Sequence, residues 1–298
     1  MASSYEHGNW RGHTDGTPWM QRTLVRLLRV IPVEVLYGIV ALIIPFYLLF
    51  DGRARRAAWK FFRKRLGWSR WRSFWSVYAN EWMLGLVVID RFACYAGKKF
   101  RLQTLDKENF DRFSAREEGF VQLFSHIGNS EMAGYFFPST KTIHVLVYAG
   151  ETERMMQGRQ DLFSQKNVVM VPVQTDMSHI FTLSQALSEG QIASMPADRA
   201  FGSPRTVSLP FLGAPAQFPV GPFRLAVAHG VQVNALFVMK TSSRTYRAYH
   251  QPLVDVRGKG LSRDAAVEAL MKDYVARLEE MVRQYPLQWF NFYDFWQQ

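Results

Sequence analysis

The stretch FVQLFSHIGNSE at residues 120–131 holds the side chains best suited to chemistry. An apolar run ends in Ser125-His126, a Gly128-Asn129 turn follows, and Glu131 opens a helical pattern. In open α/β sheets reactive groups collect just beyond the carboxyl ends of strands. An acid on the first helical turn can reach back and accept a hydrogen bond from one imidazole nitrogen. The other nitrogen then takes a proton from an attacking hydroxyl or amine, which is general-base catalysis by an oriented histidine. This reading makes His126 the base and Glu131 the acid that orients it. A structural histidine followed by a chance acid is the alternative.

A second stretch, IASMPADRAFG at 192–202, ends a strand at Pro196 and projects Asp198 and Arg199 from a loop before Gly202. Such an arginine can grip phosphate with both arms of its fork or support an oxyanion, with the carboxylate fixing its direction. A plain loop salt bridge is the competing reading. Other chemistries fit less well. A serine hydrolase elbow needs Gly-x-Ser-x-Gly, and Gly128-Asn129-Ser130-Glu131-Met132 lacks the last glycine. A zincin needs His-Glu-x-x-His, and no second histidine follows His126 at that spacing. Cys94 is the single cysteine, which excludes an intrachain disulfide and a cysteine-cluster metal site. There is no glycine-rich phosphate loop or dinucleotide fingerprint, so nucleotide-driven chemistry has no support, and general-base chemistry at His126 calls for no metal or redox cofactor.

The elements that must carry these groups alternate. Strands are expected near 120–125, 142–148, 168–173, 191–195, 205–209 and 231–239, with helices near 129–137, 151–165, 178–189 and 221–229. That alternation predicts an α/β fold, a mixed sheet covered by helices. A last helix follows Ser262, a plausible N-cap, and ends at Pro286 before an aromatic tail whose expected role is packing against the domain or the membrane boundary, with a ligand box as the alternative. Residues 1–19 read as a polar arm, 20–95 as a membrane-associated apolar and basic helical region, and 96–298 as the catalytic α/β domain.

The net charge of +11 sits mostly at the front: up to Arg72 there are thirteen basic residues against four acidic ones. They flank VLYGIVALIIPFYLLF at 35–50, which has 16 residues without a charge. A spanning helix needs about 20 apolar residues, so crossing the bilayer and lying in its headgroups both fit, with a buried core helix as the alternative. Arginines mixed with Trp59, Trp68, Trp71 and Trp75 suit a headgroup boundary. No nucleic-acid-binding signature accompanies the charge, so nucleic acid is not the expected partner. The polar start shows no cleavage pattern of a removable signal peptide.

Together these stretches resemble the lysophospholipid acyltransferase superfamily, in its branch of late lipid A acyltransferases. His126-Ile127-Gly128-Asn129-Ser130-Glu131 matches the first motif, a histidine, four residues and an acid, with Ser130 where the branch favours Trp. Pro196–Gly202 resembles a later motif. Phe211-Leu212-Gly213-Ala214-Pro215 and Gly221-Pro222-Phe223-Arg224-Leu225-Ala226 resemble the branch's turn and helix start. The resemblance implies an N-terminal membrane-attached helical segment at the bacterial inner (cytoplasmic) membrane, with the catalytic domain facing the cytoplasm. It implies transfer of a fatty acyl group from an acyl carrier protein or CoA thioester to a hydroxyl or amine of a lipid acceptor. Asn129, Asp198, Arg199 and Gly202 would bind substrate, with Arg154 or Arg159 as the superfamily's intermediate arginine. Gly8–Gly12 and FRKRLGWSRW at 62–71 look like a sub-branch linked to aryl polyene or aminolipid acylation. A non-catalytic scaffold that binds anionic lipids is the alternative from another class.

Overall fold

The computed structural model of the 298-residue chain describes residues 18–105, 107–136, 139–147, 167–174, 176–200, 203 and 205–296. Its organising element is a seven-stranded sheet in the order β1 (Arg101–Leu105), β9 (Thr245–Pro252), β8 (Gln232–Ser242), β2 (Phe120–Phe124), β5 (Ile192–Pro196), β3 (Ile143–Val147) and β4 (Val168–Pro172). The strands from β8 to β4 in that order are parallel. β9 returns antiparallel to β8 and carries β1 parallel to itself. In β2 and β5 four of five residues are buried, as strands covered on both faces must be. β6 (Thr206–Phe211) and β7 (Ala214–Pro219) form a separate hairpin.

Nine α-helices lie among the described residues: α1 (Pro18–Val30), α2 (Val33–Phe50), α3 (Gly52–Lys60), α4 (Arg70–Tyr95), α5 (Lys107–Ser114), α6 (Glu131–Phe136), α7 (Ser178–Ser188), α8 (Gly221–His229) and α9 (Arg263–Gln284). The anticipated mixed α/β architecture is present. Its expected strands lie within three residues of their places, the largest shift being the end of β8 at Ser242. Ser262 caps α9, its Oγ accepting from the Ala265 amide at 3.2 Å. The helix expected at 151–165 lies outside the described residues, as does the polar arm through residue 17.

The N-terminal helices are packed onto the sheet. Leu28, Val33, Leu36 and Tyr37 share one hydrophobic cluster with Leu86, Ile89 and Phe92 of α4 and with Leu236, Val238, Tyr246 and Ala248 of β8 and β9. α2 follows α4 closely: Trp82 Nε1 donates to the Tyr37 carbonyl at 3.1 Å, and the Tyr78 hydroxyl to the Ala41 carbonyl at 2.9 Å. At Gly85 a Cβ would stand 2.5 Å from Val40 Cγ1, so only glycine permits this approach. A buried ion pair, Asp90 with Lys240, fixes the junction; Tyr37 and Tyr246 also donate to Asp90. The other side of α2 stays exposed, with Leu42, Ile43, Phe46, Leu49 and Phe50 beside Trp71, Phe74 and Trp75 of α4.

Candidate active site

Register brings the two reactive stretches together. β2 and β5 are parallel neighbours with Phe124 opposite Pro196. His126 lies two residues past Phe124 and Asp198 two residues past Pro196, so both leave the same end of the sheet side by side. The Ala197 amide donates to the Phe124 carbonyl at 3.0 Å and extends the ladder to that point. One carboxylate then holds the histidine twice. Asp198 Oδ2 accepts from the His126 amide at 2.9 Å, and Oδ1 lies 2.9 Å from ring Nδ1.

The charges follow from burial and neighbours. Asp198 is fully buried, which by itself would raise its carboxyl. His126 and Arg199, with the two hydrogen bonds from His126, more than offset this and hold it at about 2. An anionic Asp198 only accepts, so Nδ1 carries the proton and Nε2 keeps its lone pair. Burial and the Arg199 charge hold the imidazole below its ordinary range, outweighing the opposite pull of Asp198. The ring is one-third exposed, at 34% of its side-chain surface, so a reactant can reach it. The result is a neutral, oriented base.

Glu131 occupies a different place from the one its spacing suggested. The imidazole's hydrogen bond runs to Asp198. The Glu131 carboxylate accepts from Tyr95 Oη at 2.8 Å and from Arg91 at 3.3 Å, both on α4. The turn between His126 and Glu131 is anchored on β8. The Asn129 amide donates to the Val238 carbonyl at 2.7 Å, and its side-chain amide to the Val87 carbonyl at 3.4 Å. Gly128, at φ +65°, makes this possible: a Cβ there would lie 2.2 Å from the Val238 oxygen. Asn129 is thus buried as a support of the loop.

Arg199 is turned toward the C-terminal segment. Its Nε donates to Asn291 Oδ1 at 2.7 Å and a terminal nitrogen to the Phe290 carbonyl at 3.0 Å. Gly202, Arg154 and Arg159 lie outside the described residues. Among the described residues, no three His, Cys, Asp or Glu side chains come together as metal ligands.

Several contributors carried no motif in the sequence. Asn80, Val87, Arg91 and Tyr95 line one face of α4 at helical spacing and touch the tail, the Asn129 side chain or Glu131. The tail itself bridges onto the site, with Trp289 paired to Ile127 and the Phe290 amide donating to the His126 carbonyl at 2.9 Å.

With this geometry in place, comparison with known families is specific. A family model described as bacterial lipid A biosynthesis acyltransferase matches residues 89–298, which include both strand ends, Glu131 and the tail. No curated protein matches the chain.

Proposed function

The chain belongs to the bacterial lipid A biosynthesis acyltransferase family and is an acyltransferase; on that premise we propose that His126 is its general base and Asp198 the group that orients it. The observation that carries this reading is the double hold of Asp198 on His126, which leaves Nε2 basic and accessible. Nε2 takes the proton of an acceptor hydroxyl or amine as its heteroatom attacks the thioester carbonyl carbon. The tetrahedral adduct collapses by breaking the carbon–sulfur bond, and the leaving thiolate recovers the proton from the imidazolium. A positioned base of this kind is worth about 10²–10⁴-fold in rate. Glu131, fixed by Arg91 and Tyr95 on the first turn after the His126 loop, ties that loop to α4. Arg199, held by Asn291 and the Phe290 carbonyl, keeps a positive charge beside Asp198 and His126, which favours the anionic carboxylate and the neutral imidazole.

The family is membrane-associated, and the exposed apolar face of α2 with Trp71, Phe74 and Trp75 is the surface we assign to lipid. The first half of α2 is bonded to α4 through Tyr37 and Ala41, which supports a helix that seats in the headgroups with the domain, and we assign that surface to the cytoplasmic face of the inner membrane. Arg53, Arg55, Arg56, Arg70 and Arg72 border that surface and favour anionic headgroups. Co-sedimentation with anionic vesicles that resists about 0.5 M salt is expected; complete release by salt would leave only an electrostatic contact.

The donor is an acyl carrier protein or CoA thioester, and the acceptor a lipid hydroxyl or amine. The deciding experiment incubates purified protein with labelled thioesters of each carrier and with bacterial membrane lipid, followed by mass spectrometry of the lipid. Labelled acyl chains on lipid support the reading. Lipid binding with no transfer from either donor would favour a non-catalytic scaffold.

A further inference from the structure

The tail after α9 does more than fill space beside the domain. Residues 286–291 run as an extra bridge over the catalytic loop. Asn80 donates to the carbonyls of Leu287 and Trp289 at 2.8 and 3.1 Å, holding the bridge from the α4 side. The Gln288 side chain grips the Lys240 backbone at both its amide and its carbonyl, at 2.9 and 2.8 Å. The Gln288 carbonyl in turn accepts from the Gly128 amide at 2.9 Å. The bridge ends in Asn291, which is 6% exposed.

Asn291 stands between the two charged groups of the site. Its Oδ1 accepts from Arg199 Nε at 2.7 Å, and its Nδ2 donates to Asp198 Oδ2 at 3.3 Å. The amide orientation is forced from both sides: a guanidinium only donates and a carboxylate only accepts. Asp198 Oδ2 therefore receives two donors, the His126 amide and Asn291, while Oδ1 remains for ring Nδ1.

We propose that Asn291 is a positioning residue for the His126–Asp198 pair, its carboxamide separating Arg199 from Asp198 and fixing the carboxylate rotation that presents Oδ1 to the imidazole. This rests on the reading of His126 as the base. Without the carboxamide, Asp198 turns toward Arg199 and pairs with it, and the imidazole loses its orientation. A burial role alone requires neither the hydrogen bonds nor their direction.

Two variants test this. Asn291→Leu keeps a similar volume and removes both bonds, and kcat should fall about ten- to a hundredfold with KM nearly unchanged. Asn291→Asp keeps the acceptor for Arg199 but sets a second carboxylate against Asp198, which raises the proton affinity of the imidazole beside them. The readout is the pH dependence of diethylpyrocarbonate labelling at His126, followed by mass spectrometry of its peptide, since only the neutral ring reacts. In Asn291→Asp the labelling midpoint should move to higher pH, and the acid limb of kcat/KM with it. A lowered melting temperature with unchanged kcat and an unmoved midpoint would overturn the proposal. If Asn291→Leu does not fold, the smaller Asn291→Ser, which also loses both bonds, takes its place, and a parental kcat in it would overturn the proposal. Parental turnover in His126→Ala would instead remove the reading of His126 as base, while the labelling midpoint would still report on Asn291.

Discussion

Gly128→Ala is the sharpest structural perturbation of the catalytic loop. Gly128 holds φ +65°, and a Cβ would lie 2.2 Å from the Val238 oxygen, 2.8 Å from Met239 Sδ and 3.0 Å from the Val238 carbonyl carbon. The obstructing atoms include the backbone of β8, so the loop has to lift away from the sheet. The left-handed conformation costs an alanine about 1 kcal/mol. Lifting the loop breaks the Asn129-to-Val238 bond at 2.7 Å and the Gly128-to-Gln288 bond at 2.9 Å. At about 1 kcal/mol each, the total reaches roughly 3 kcal/mol. For a chain of this size that lowers the melting temperature by about 6–12 °C. Displacement of His126 also lowers turnover in the fraction that remains folded. Thermal melts in detergent beside steady-state acyl transfer measure both. A melting point within about 1 °C of the parent, with normal turnover, would refute the close approach of loop and β8.

Three other outcomes follow from the site and its surroundings. Asp198→Asn should reduce kcat by about 10³–10⁴-fold, because the amide favours the wrong imidazole tautomer, whereas Glu131→Gln should cost less; equal losses in steady-state kinetics would contradict the assignment of Asp198 as the orienting group. Arg199→Lys should keep the charge but lose the two-directional bonding to Asn291 and Phe290, lowering both kcat and melting temperature; stability loss alone, with kinetics intact, would move Arg199 from the site to the scaffold. Glu81 is 3% exposed, and burial, helped by Asp51, raises its carboxyl to about 7, so its ionisation opposes folding increasingly as pH rises from about 4.5 through 7. Glu81→Gln should therefore raise the melting temperature at pH 8 and give little at pH 5, and a gain of the same size at both values would refute that origin.

Much of this was legible in the chain because strand ends and turn chemistry are local. The apolar runs ending at Phe124 and Pro196 were enough to put His126 and Asp198 at the sheet's carboxyl end. What spacing alone did not reveal was that the two runs are adjacent strands in matched register, which is a property of topology. Motif logic therefore joined His126 to Glu131, five residues on, while the shorter route in space leads to Asp198, seventy-two residues on. Arg91 and Tyr95 share a helical face with Val87, but nothing in that pattern says which element the face meets. β1 and β9 carry a weak sequence signal because each alternates apolar and polar residues at or beside a sheet edge, without the continuous apolar run that marks β2. The aromatic tail packs on the domain through the buried Trp289 and Phe295, yet Asn291 within it carries the contacts to Asp198 and Arg199.

Turnover by folded His126→Ala tests the central claim most directly. Purified in parallel with the parent and matched to it by melting curve, the variant is given the labelled thioester and lipid that the parent converts. The account predicts a loss of about 10²–10⁴-fold in kcat with membrane binding unchanged, since α2 and its aromatic neighbours are untouched. Turnover near the parental rate in a correctly folded His126→Ala would contradict it.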